Sequence, residues 1–137
     1  MKHTPDLITE LGQNQIFVFG SNLAGKHNGG GARIAVEKFG AIYGQGIGIQ
    51  GQSYAIPTLG HNFEKMTLDR ISYYINAFNK YAFSHPENTF LVTKIGCGIA
   101  GYTAEQIAPL FGCLHFTYLT NVIMPKDFLH IQENACV

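Results

Sequence analysis

A continuous apolar run, Gln15–Phe19 (QIFVF), passes straight into a loop that holds Gly25, Gly29, Gly30 and Gly31. An apolar run without polar alternation is the pattern of a strand buried on both faces. Behind the loop, Gly30–Phe39 reads as a helix. Ala32, Ile34, Ala35, Val36 and Phe39 supply its apolar side, and Gly40 stands where a C-cap belongs. The same order recurs later in the chain. Thr89–Thr93 (TFLVT) reads as a strand and Lys94–Tyr102 (KIGCGIAGY) as a second glycine-rich loop. Thr103 then caps a helix to about Phe111, with Glu105 in its first turn. These two units predict an α/β fold with a mostly parallel central sheet and helices on both faces. In such sheets ligands bind beyond the carboxyl ends of the strands, and both loops fall on that edge.

The remaining segments fit around this frame. Thr4–Leu11 reads as a short helix, with Thr4 capping and Pro5 at the first helical position. Tyr43–Gln52 (YGQGIGIQGQ) is too glycine-rich for a regular element. Ser53–Pro57 (SYAIP) reads as a strand ended by its proline. Thr67–Phe83 is the longest expected helix, with Leu68, Ile71, Tyr74, Ile75 and Phe78 at helical spacing. Asn121–Met124 (NVIM) reads as a last short strand stopped by Pro125. The 137 residues show no repeat or linker, so residues 1–137 are expected to form one domain.

Charge narrows the classes of partner. Nine basic residues balance nine acidic ones, and only 13% of the chain is charged. A broad surface for duplex nucleic acid is therefore not expected. A local anion site made of backbone N–H groups needs no net charge and stays open. The cysteines, Cys97, Cys113 and Cys136, are odd in number and lack a C-x-x-C pair. They read as reduced thiols of a cytoplasmic protein. The start, MKHTPDLITE, has no apolar signal-peptide region, and the apolar tract from Leu110 to Met124 is too short and too polar to span a membrane. No His/Cys/Asp/Glu set has metal-ligand spacing, and no cofactor is implied.

The glycine loops suggest contact with phosphate. Free N–H groups at Gly29, Gly30, Gly31 and Ala32 would face an anion, with the helix dipole behind them. Without a Cβ, glycine lets a diphosphate approach the backbone closely. Gly96, Cys97, Gly98, Ile99, Ala100 and Gly101 repeat the arrangement. The first loop is not a P-loop, because no Gly-Lys-Ser/Thr follows it, and it lacks the dinucleotide fingerprint with its acidic residue. Tight turns and close packing are the structural alternative for the same glycines.

These residues also carry a resemblance. The order strand–SN–short loop–GGGA–helix, followed by strand–T-x-IGCGIAGY–helix, resembles the macrodomain family, which binds ADP-ribose between two such loops. The resemblance spans Gln15 to about Phe111 and is most specific in IGCGIAG. It implies a three-layer macrodomain-like fold, and a ligand that is ADP-ribose or a related nucleotide diphosphate, either free or carried on an ADP-ribosylated macromolecule. By the resemblance, Gly20, Ser21, Gly29, Gly30, Gly31 and Ala32 contact one side of the diphosphate. Gly96, Cys97, Gly98, Ile99, Ala100 and Gly101 wrap the other. Asn22 sits near the distal ribose and Tyr102 stacks on it, unless Tyr102 is a core or rim aromatic. Asp6 takes the adenine role, although Pro5 stands where the family often has glycine.

Hydrolysis by the family's known routes is less well served. One branch places an acid just after its GGG-x stretch, where this chain has Arg33. Another uses a lysine and an aspartate at positions that correspond to Leu59 and Ala100 here. The polar candidates that remain for an ADP-ribosyl hydrolase are Asn22, to orient a water, and His27, whose ordinary pKa suits acid–base work. The structural reading of His27 is a solvent-facing loop histidine. Cys97 is either a reactive thiol or a small buried loop residue. Lys94 and Arg33 are possible phosphate contacts. A different Rossmann-like nucleotide binder would share the loop physics alone.

Overall fold

Strand β1 (Gln15–Asn22) alternates its side chains between two cores. Ile16 and Val18 enter one cluster, with Tyr54, Ile56, Phe78 and Phe90. Phe17 and Phe19 enter the other, with Ala32, Ala35, Phe39 and Ala55. This is why the run shows no polar alternation: both faces of β1 are covered. The protein is described here from a computed structural model that covers residues 2–136.

The other strands are β2 (Gly48–Gln50), β3 (Ser53–Leu59), β4 (Thr89–Val92) and β5 (Val122–Ile123). Their order in the sheet is β2-β3-β1-β4-β5. The pairings of β1 with β3, β1 with β4 and β4 with β5 are parallel, whereas β2 runs antiparallel to β3. The sheet is thus mixed, and β2 lies in the glycine-rich tract where no regular element was expected. Its short ladder is aided by Gln50, whose Oε1 accepts from the Ile42 N–H at 2.8 Å. Pro57 does not end β3. It pairs with Ser21 of β1, beyond the last β2 partner at Ala55, so no neighbour on that side requires an N–H from it.

Helix α1 (Gly30–Lys38) buries Ala32 and Ala35 against the phenylalanines of β1. It stops at Gly40, which has φ +77°, and the Ala41 N–H donates back to the Ala35 carbonyl. Helix α2 (Leu68–Ser84) starts at Thr67, whose Oγ1 accepts from the Arg70 N–H. It buries Ile71, Ile75, Phe78 and Ala82, one stripe of the helix, on the opposite core. Helix α3 (Ala104–Ile107) is only one turn long. Its first turn is closed by the Thr103 N–H donating to Gln106 Oε1, and it tightens into a 3-10 turn at Ala108–Phe111.

Two segments depart from expectation. Thr4–Leu11 is not helical. The Thr4 N–H donates to the Met124 carbonyl at 2.8 Å and its hydroxyl to the Ile123 carbonyl at 3.0 Å. These long-range bonds lay Thr4 beside the end of β5 and remove it as a cap. Beyond Pro125 the chain forms helix α4 (Lys126–Ala135), which buries Phe128, Leu129 and Gln132. That helix brings Cys136 back to Cys113, and the two form a disulfide with a Cα–Cα distance of 5.9 Å. The expectation of three reduced thiols is corrected: Cys97 alone of the three is free. No helix among the described residues is long and apolar enough to cross a membrane.

Candidate functional site

The carboxyl ends of β1, β3 and β4 open into a cleft of about 320 Å³. The end of β1, the loop after it and the first turn of α1 form one wall, with Gly20, Ser21, Asn22, Gly29, Gly30, Gly31 and Ala32. The loop after β4 forms another, with Gly96, Gly98, Ile99 and Ala100. The two glycine loops thus face one cavity. The first three N–H groups of α1 have no partner within the helix and stand at this wall.

The glycines there differ in what they need. Gly30 has φ +58°, a left-handed conformation that disfavours side chains. At Gly96, with φ +75°, an added Cβ would meet Ile107 Cδ1 at 2.8 Å. Gly29 and Gly98 have neither constraint: an added Cβ would meet nothing within 4 Å at either, and Gly29 is extended at φ −154°. Gly25 does not line the cleft and is explained by packing: a Cβ there would collide with the backbone of Gly44 and Gln45.

Several expected site residues lie elsewhere. The Cys97 side chain packs against the larger core and does not line the cleft. Burial pushes its thiol above the ordinary cysteine range. The Lys94 ammonium pulls the other way, while Glu105 and Asp127 add to the rise. That is the reverse of an activated thiolate. Tyr102 also packs on that core. Its hydroxyl donates to the Met66 carbonyl and its ring carries Lys65 Nζ at 4.2 Å from the centroid. Gly101, at φ +80°, sets the turn before it. His27 is 3% exposed rather than solvent-facing, and its ring meets Phe19 edge-on. Its Nε2 lies 2.8 Å from the Gln45 carbonyl and 3.3 Å from Gln50 Oε1, both acceptors, so Nε2 carries the proton. His27 is outside the residues that line the cleft.

Asp6 is exposed and lines a smaller pocket of about 260 Å³. This pocket shares Gly31, Thr93 and Lys94 with the main cleft and so continues it on the β4 side. Asn22 is buried at the cleft floor. Leu59 and Ala100 line the cleft too, whereas Arg33 lies on the exposed side of α1 beside Glu37.

The structure adds residues the sequence did not single out: Lys26, Asn28, Thr58, Phe63, Thr93 and Ile95. Phe63 follows the end of β3, and residues just past a strand's carboxyl end were the available signal. The ionisable side chains among the described residues lining the cleft are Lys26 and Lys94. Lys94 Nζ lies 3.2 Å from Asp127, but both side chains are more than half exposed, so that pair holds it weakly. The cleft therefore favours an anion through two lysines and the α1 N-terminus. No group of His, Cys, Asp and Glu among the described residues is arranged to hold a metal ion. No protein-family model, curated protein or solved structure matches the chain.

Proposed function

We propose that the protein binds ADP-ribose or a related nucleotide diphosphate in the cleft between its two glycine loops. The observation that carries this reading is the pair Gly29 and Gly98. Neither has a crowded neighbour or a left-handed backbone to explain it, and both line the cleft. A side chain at either would occupy the space a diphosphate needs to reach the N–H groups. The macrodomain-like, three-layer arrangement belongs to the same reading, as does the placing of adenine at the Asp6 pocket.

Binding is favoured over hydrolysis. Lys26 and Lys94 are suited to holding phosphate, while the His27 imidazole is buried and bonded through Nε2 to the Gln45 carbonyl, outside the cleft lining. An acid or base for water activation would have to come from the ligand or its carrier.

Thermal unfolding with ADP-ribose, AMP and NAD tests this. A ligand held only by the folded chain adds about 2.7 kcal/mol at a hundredfold excess over Kd. ADP-ribose is expected to raise the midpoint, and Gly98→Val to abolish that rise while unfolding normally without ligand. An unchanged midpoint in the wild type, or a full shift in Gly98→Val, would falsify the assignment. Gly30→Val is a poorer probe, since its backbone conformation alone makes the change costly.

A further inference from the structure

The cleft has a second end, opposite Asp6. Asp6 and its pocket lie on the β4 side, whereas Lys26 and Phe63 line the cleft on the β3 side, with β1 between. Phe63 is 47% exposed and holds φ +62°, a conformation uncommon for a bulky residue. The loop fixes it there: the Phe63 N–H donates to the Gly60 carbonyl, and the Gly60 N–H donates to the Glu64 carbonyl at 2.9 Å. Ile99, on the other glycine loop, is 83% exposed and also lines the cleft. Lys26 Nζ stands 5.8 Å from the centre of the Phe63 ring.

We propose that Phe63 is a stacking platform for a neutral base carried on the distal ribose, so that the preferred ligand is a dinucleoside diphosphate. This rests on the nucleotide-diphosphate reading of the same cleft and narrows its ligand class. An exposed aromatic ring beside a cation is the arrangement on which bases stack, with phosphate near the charge. The lysine also sets the sign of the base. A pyridinium ring on Phe63 would bring a second positive charge next to Lys26, which repels it. A neutral base of similar size suffers no such repulsion. Lys26 thereby separates ligands of nearly equal shape by charge.

Titration calorimetry with four probes tests the proposal: ADP-ribose, diadenosine diphosphate, NAD+ and NADH. Diadenosine diphosphate is expected to bind about tenfold tighter than ADP-ribose, the gain that one stacked base brings. NADH is expected to bind tighter than NAD+. In Phe63→Ala the ratio of diadenosine diphosphate to ADP-ribose affinity should fall to about one, and in Phe63→Trp it should persist. In Lys26→Gln the gap between NADH and NAD+ should close. Equal affinity for diadenosine diphosphate and ADP-ribose overturns the proposal, as does an advantage that survives Phe63→Ala. If ADP-ribose binds without a preference for the added base, the platform alone fails. If none of the four binds, the cleft reading fails with it.

Discussion

Asn22 holds Lys26 by both ends of its amide. Its Nδ2 donates to the Lys26 carbonyl at 3.0 Å, and its Oδ1 accepts from the Lys26 N–H at 2.9 Å. The side chain is buried, so these bonds are not readily replaced by water. Asn22 thus closes the turn that carries Lys26 to the cleft. Asn22→Ala is expected to cost roughly 1–3 kcal/mol of stability, read by denaturant unfolding, and, on the proposed function, to weaken ADP-ribose binding through the loop. A variant as stable as the wild type that binds ADP-ribose normally would show that the amide does not hold the loop.

Gly46, packed on this turn, and Gly98, across the cleft lining, should respond differently to an added methyl. A Cβ at Gly46 would fall onto the Asn22 and Leu23 carbonyls, whereas one at Gly98 would meet nothing within 4 Å. The Ser21 hydroxyl also donates to the Gly46 carbonyl at 2.6 Å, which keeps that strand of backbone close. Gly46→Ala is expected to lose about 1–3 kcal/mol by overpacking, and Gly98→Ala to stay within about 0.5 kcal/mol of the wild type. Unfolding midpoints of the two variants decide it. Equal losses would mean that Gly98 is also a packing glycine, which removes the main support for the cleft.

Much of this arrangement is legible in the sequence. The unbroken apolar run at Ile16–Phe19 indicates a strand covered on both faces, and its side chains do enter two separate cores. Both glycine loops lie on one edge because parallel strands put their carboxyl ends together. What failed depended on distant partners. Thr4 has the chemistry of a cap, yet Ile123 and Met124, far along the chain, take its hydrogen bonds. The Cys113–Cys136 pairing needs α4, whose modest apolar pattern after Pro125 gave little warning. Within the site, residue type did not reveal direction. Cys97 sits between two lining glycines but points into the core, and His27 sits in the first loop but turns beneath it. Phe63 was hidden in a segment with no periodicity.

The disulfide gives a direct chemical prediction. Alkylation of the unreduced, unfolded chain should label one thiol, Cys97, and prior reduction should expose Cys113 and Cys136 as well. The bridge closes a span of 23 residues between its cysteines. By loop-closure entropy this is worth roughly 3 kcal/mol. Cys136→Ser is expected to lower the unfolding midpoint under oxidising conditions and to make it insensitive to reductant. Three labelled thiols without reduction would show that the bridge does not form.

Acid should destabilise the fold through His115. His115 is buried, and neither ring nitrogen has a hydrogen-bond partner; the ring lies against Phe116 with centroids 4.3 Å apart. Burial holds its pKa below the ordinary value of 6.5; Gln132 lies close enough to oppose this in part, but its Oε1 makes no hydrogen bond to the ring, so burial decides the direction. A histidine depressed in the folded state takes up its proton more readily once unfolded. Above 6.5 both states are neutral and there is no penalty. As pH falls from that value toward the lower folded one, the unfolded chain binds more protons and stability declines. Below the folded value the penalty is full. His115→Phe removes the titrating group and suits the apolar neighbours. Its unfolding free energy should therefore change less than that of the wild type between about pH 7.5 and pH 5, the range over which histidines titrate. The other histidines are common to both proteins, so the difference between the two curves isolates His115. Parallel curves across that range would show that this ring keeps an ordinary affinity for its proton.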